Sequence, residues 1–113
     1  MYNIIVKAHI NHKKIQKVEQ NTMLNLFITS KTRRKIITIY SKYPDYRVHV
    51  RGLAKVIKED PGNVQRELAR LEKIGYLKSA KQNNTKLYWA NQSFVVFKEL
   101  QSIVLKTQRK APK

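Results

Sequence analysis

A chain of 113 residues can bury one modest core and is short for two domains. Its 24 Lys and Arg against 7 acids give a net charge of +17, which repels itself unless nucleic acid, an anionic membrane or an acidic protein offsets it. There is no cysteine, which excludes disulfides and thiolate metal sites and makes the reducing cytoplasm the expected setting. Apolar runs are too short for a membrane span or a secretion signal, so no membrane partner is expected.

Residues 1–23 read as an N-terminal arm. Tyr2, Ile4, Val6, Ala8 and Ile10 alternate as in a strand, whereas Ile15 and Val18 have helical spacing. A free arm, an added strand and a dimer contact all remain open. Ser30 is a good N-cap for a helix carrying Arg33, Arg34, Ile36, Ile37 and Tyr40. That helix must stop near Tyr43, because Pro44 disfavours helix at the residue before it. "YRVHV", 46–50, alternates like a short strand, and a helix over 51–58 buries Leu53, Ala54 and Ile57.

Asp60-Pro61 opens the next helix, since Asp caps well and Pro suits the first helical position. It runs to about Ile74 and ends at Gly75. "YLKSA" and "KLYWA" form a hairpin joined by "KQNNT", with Asn83-Asn84 at its tip and Tyr88 and Trp89 packed beneath. Residues 93–107 form an amphipathic helix striped by Phe97, Leu100 and Val104, and 108–113 a basic tail. The order helix, strand, helix, turn, helix, hairpin, helix is mainly α with a small β-hairpin. That is the layout of a winged helix-turn-helix over 24–107.

The helix over 61–74 carries the functional signal. With Val64 at ~0°, Leu68 falls near ~40° and Leu71 near ~−20°, which defines a core stripe. Gly62, Arg66, Ala69 and Lys73 lie at ~140–200°, flanked by Asn63, Gln65 and Arg70. Glu67 and Glu72 fall beside the core stripe instead. The outward face therefore offers amides and guanidinium groups without a carboxylate. Arg66 can give two donors to guanine O6 and N7, and Gln65 or Asn63 can read adenine in the same manner. An isolated solvated helix would look similar; the position after a short turn and before a basic hairpin favours a recognition helix. Lys78, Lys81 and Lys86 around Asn83 and Asn84 suit a wing on a phosphate backbone or in the minor groove.

These residues resemble the ArsR-like winged-helix transcriptional regulators. "RGLAKVIKEDPGNVQRELARLEKIGYLKSAKQNNTKLYWAN" is similar to that family's helix-turn-helix, wing and following Tyr-Tyr-x-x-Asn run. "LFITSKTRRKIITIYSKYP" is similar to its first helix, and "FKELQSIVLKT" to the end of a subgroup found beside nucleotidyltransferase domains. The resemblance implies a homodimeric, sequence-specific DNA-binding regulator or repressor. It puts Asn63, Gln65 and Arg66 on the reading stretch, Arg70 on its later turn, and Arg51 at a phosphate-contacting helix start. Two departures stand out: Gly52 replaces a usual Glu, and Lys58-Glu59 replace the turn's Gly and apolar residue.

No catalytic residue, cofactor site or metal site is expected. Three glycines leave little room for a phosphate-cradling loop, and no carboxylate pair has acid–base spacing. His9, His12 and His49 form no convincing ligand set. The reading is a non-enzymatic, cytoplasmic dimer that binds double-stranded DNA, its seam formed by the final helix and residues 1–29. Leu24, Phe27, Ile28, Phe94, Phe97 and Leu100 look more apolar than one small core needs. The alternatives are a protein-interaction adaptor on the same scaffold and a non-specific architectural nucleic-acid binder.

Overall fold

Ser30 starts the first long helix by accepting the Arg33 amide on its hydroxyl at 3.2 Å. The computed structural model describes residues 24–107, so the arm reading of 1–23 and the tail reading of 108–113 lie outside the described residues. A single turn, α1 (Leu24–Phe27), precedes α2 (Lys31–Lys42). Then come β1 (Val48–His49), α3 (Val50–Ile57), α4 (Pro61–Lys73), β2 (Leu77–Gln82), β3 (Thr85–Ala90) and α5 (Phe97–Thr107). The result is a mixed α/β arrangement of helices around a small three-stranded antiparallel sheet, ordered β1-β3-β2.

Most helix ends follow their sequence signals. Tyr43 closes α2 by donating its amide to the Ile39 carbonyl, and Pro44 follows. Asp60 accepts the Asn63 amide at 3.0 Å with Pro61 beside it at the start of α4. Gly75, at φ 96°, takes the left-handed position that ends α4, and the Tyr76 amide then bonds the Leu71 carbonyl. Lys58 holds the same kind of conformation, φ 56° and ψ 53°, at the end of α3. The turn thus keeps a left-handed residue without the glycine that makes it easy. Gly52 has a local reason too: a Cβ there would lie 3.1 Å from the Val48 side chain.

Four expectations are corrected. The strand over 46–50 shrinks to Val48 and His49, because only these face β3 (Tyr88 and Leu87) and Val50 already begins α3. The hairpin loop shrinks from five residues to two. Lys81, Gln82 and Thr85 join the ladder, and Asn83 turns the chain at φ 58°. The final helix starts at Phe97 rather than at 93. Asn91 accepts the Ser93 amide on its side chain and donates to the Gly75 carbonyl, holding the preceding residues in turns. Tyr88 is buried as expected, but Trp89 is not beneath the hairpin. Adjacent strand residues point to opposite faces, and the half-buried Trp89 ring meets the Arg47 guanidinium at 4.3 Å.

The core is continuous. Ile36, Ile39 and Tyr40 of α2 meet Leu53 and Ile57 of α3, Val64 and Leu68 of α4, Tyr76 and Leu77, and Phe97 and Val104 of α5. Tyr76 stacks on Phe97 at 5.7 Å and meets Phe94 edge-on at 5.9 Å. Of the six apolar residues read as surplus, Leu24 and Phe97 are buried, and Ile28, Phe94 and Leu100 pack against the same core. Phe27 remains 75% exposed. The apolar surface lies elsewhere as well, on Ile74, Val95, Val96, Ile103 and Leu105. Among the described residues no helix is long and apolar enough to cross a membrane.

Candidate nucleic-acid interface

The core stripe of α4 fixes its outward face. Val64, Leu68 and Leu71 are buried, so Asn63, Gln65, Arg66, Ala69, Arg70 and Lys73 are all exposed. Arg66 donates from Nη2 to the Asn63 side-chain oxygen one turn earlier. A neutral amide orients the guanidinium and leaves its charge and remaining donors available. Gly62 is half-buried at the helix start. A Cβ there would approach the Asp60 carboxylate to 2.9 Å, so the small residue protects the cap as well as thinning the face.

The two acids of α4 are turned away from this face. Glu67 is buried and takes Arg33 Nε at 2.8 Å, Arg33 Nη2 at 3.2 Å and Arg70 Nη1 at 3.0 Å. Burial alone would raise its carboxyl, but the hydrogen bonds and charge of Arg33, with Arg70 adding to them, hold it below the usual range. The same bond raises Arg33. Arg70 is therefore exposed yet already shares its charge with an acid. Arg66 and Lys73 share theirs with none among the described residues. Glu72 accepts the Ser79 hydroxyl at 2.6 Å and stands 3.8 Å from Lys86 Nζ.

The hairpin places its cations unequally. Lys81 and Lys86 are cross-strand partners on the face toward α4, where Glu72 relieves the like-charge pair. Lys78 pairs with Trp89 on the opposite face. Between α4 and the hairpin lies an open cleft of about 800 Å³. Arg51, Gly62, Gln65, Lys81, Asn84 and Lys86 line it. Asn63, Arg66, Arg70 and Lys73 continue the exposed surface along α4, and Asn83 stands at the hairpin tip. Of the expected site residues, Lys78 is the one the sheet carries to its other side.

His49, which the sequence does not mark as a site residue, also lines this cleft. The spacing gives no sign of its place: the register sets it opposite Leu87, on the Thr85 side of the sheet, and its ring meets Thr85 and the Lys86 carbonyl at the edge of the cleft. Among the described residues no group of three or more His, Asp or Glu is arranged to hold a metal ion; His9 and His12 lie outside them. The cleft thus has cations on two walls, amide groups beside them, and no carboxylate among its lining residues. Such a concavity suits a polyanion that also presents polar edges. Compared with protein-family models, with curated proteins and with solved structures, the chain matches none of them.

Proposed function

We propose that the chain is a winged helix-turn-helix protein that binds double-stranded DNA in a sequence-specific manner, as its resemblance to the ArsR-like regulators implies. In this reading α4 enters the major groove and the β2–β3 hairpin is the wing, lying on the adjacent backbone or in the minor groove. The observation that carries the reading is the acid-free outward face of α4, with Asn63, Gln65 and Arg66 exposed while Glu67 and Glu72 turn back into the protein. Arg66 offers a held, charged fork for guanine, and Asn63 or Gln65 an amide for adenine. Arg51, Lys73, Lys81 and Lys86 contribute phosphate affinity and salt dependence without reading sequence.

The protein acts in this reading as a cytoplasmic homodimeric regulator, a repressor by family resemblance. Its seam is placed on α5 and the residues before α2, where Phe27, Ile103 and Leu105 are exposed apolar side chains. Selection of bound fragments from random duplex DNA tests the whole reading. Enrichment of one palindrome is expected, its half-sites spaced by one helical turn or a multiple. Recovery governed by length alone would mean architectural binding. Failure to retain duplex at low salt, with retention of an acidic protein instead, would replace the reading with an adaptor role.

A further inference from the structure

His49 occupies the N-cap position of α3, yet its side chain makes no capping bond. Its ring is committed elsewhere. Nδ1 lies 2.9 Å from the Lys86 carbonyl oxygen and 3.1 Å from Thr85 Oγ1. The carbonyl can only accept. The Thr85 hydroxyl donates its own proton to the Gln82 carbonyl at 3.1 Å, so toward His49 it too is an acceptor. Both contacts therefore require the proton on Nδ1, and the tautomer of the neutral ring is fixed. Nε2 is left as a lone pair, with no hydrogen-bond partner among the described residues, on a half-exposed ring beside the cleft.

A phosphate oxygen is itself only an acceptor, so a neutral His49 in this tautomer has nothing to give it. An imidazolium has a second N–H and a charge. The charged groups around the cleft are Arg51 from α3, Lys81 from β2 and Lys86 from β3, with Glu72 behind Lys86. α4 contributes the uncharged Gln65 and its first turn, Pro61 and Gly62. Tyr88 also lines the cleft, its hydroxyl pushed up by burial and by the nearby Glu72. Of these residue types histidine is the one whose charge changes between about pH 5 and about pH 8. The lysines and arginine make the cleft a place for a backbone phosphate rather than for a base.

We propose that His49 is a proton-requiring DNA contact: as imidazolium it donates Nε2–H to a backbone phosphate seated in the cleft between α4 and the hairpin, so duplex binding takes up a proton at this residue. The inference rests on the DNA-binding reading above and adds to it a ligand group and a pH dependence.

Two measurements on the full chain test it. The first is affinity for an about 20-base-pair mixed-sequence duplex at constant ionic strength, for wild type and His49→Asn, at about pH 8 and about pH 5.5. Asn can keep the bond to the Lys86 carbonyl but does not titrate. Wild type is expected to gain about threefold or more on acidification beyond any gain of the variant, and the two proteins to converge at the alkaline end. Parallel pH profiles would overturn the inference. The second is the proton NMR titration of the His49 ring in wild type, free and with duplex, which does not depend on the variant folding. Its midpoint should rise on adding duplex. An unchanged midpoint would overturn the inference, and a lowered one would mean that Nε2 accepts from a base amine instead. A bound duplex with parallel profiles removes this inference alone; no duplex binding at any pH removes the DNA reading with it.

Discussion

Two sets of cations in this molecule look alike in the sequence and behave oppositely in the fold. Arg33, Arg34 and Lys35 form an unbroken basic run, yet α2 turns them to internal work. Arg33 is held by Glu67, and Arg34 donates to the Ile28 and Thr29 carbonyls at 2.6 and 2.9 Å. Lys35, 2% exposed, donates to the Ile57 carbonyl at 2.9 Å and to Glu59 at 2.7 Å, tying the turn between α3 and α4 to α2. Arg66, Lys73, Lys78 and Lys81 are exposed and have no acid partner among the described residues. The difference lies in where the few acids go. Glu59 and Glu67 serve α2, Glu72 serves the hairpin and Asp60 caps α4. Net charge gives the size of the surplus, whereas acid placement decides which cations are left to meet an anion.

Breaking the internal set should cost stability. The largest effect expected is from Glu59→Ala, which strands the buried Lys35 ammonium and should destabilise by about 3–5 kcal/mol in denaturant titration. Adding Lys35→Met to it should recover much of that loss, because the unpaired charge is gone. A cost under about 1 kcal/mol for the single variant would show that the pair does not hold the turn.

Glu67→Gln should cost about 1–3 kcal/mol near neutrality, since the charge shared by Arg33 and Arg70 is lost and one of the two accepting oxygens becomes a donor amide. The Glu67 carboxyl is lowered in the fold, so its contribution is present above the ordinary carboxyl range, about 4.3, and is lost as pH falls through the folded value. The gap in Tm between wild type and Glu67→Gln should therefore close on acidification from about pH 6 to about pH 2. A gap that is constant with pH would contradict the assignment. A smaller effect, of opposite sign, is expected at the turn itself. Lys58→Gly should stabilise by about 0.5–1 kcal/mol by relieving a left-handed lysine.

The sequence made some of this legible. Capping signals at Ser30 and Asp60-Pro61 and the stop at Gly75 located α2 and α4 because each acts within one turn of chain. The Val64, Leu68 and Leu71 stripe located the outward face of α4 because helical rotation alone sets it. Contacts between distant segments were not legible. Nothing in the spacing of Arg33 and Glu67, or of His49 and Lys86, says that folding brings them together. Arg70 is a different case: rotation puts it at the edge of the free face, while Glu67, three residues earlier on the same helix, takes its charge. Lys78 is missed because Lys81 reads as loop; once β2 runs through Gln82, alternation along the strand puts Lys78 and Lys81 on opposite faces.

Base reading by α4 is tested most directly by the duplex affinities of Arg66→Ala, measured over a panel of single base-pair variants at several salt concentrations, with Lys81→Ala beside it. Arg66→Ala should lose about 1–3 kcal/mol on duplexes carrying its base pair and little where that pair is already changed. Lys81→Ala should weaken every duplex alike and lower the salt slope by about 1. Equal losses across the panel for Arg66→Ala would contradict the claim that the exposed face of α4 reads base edges.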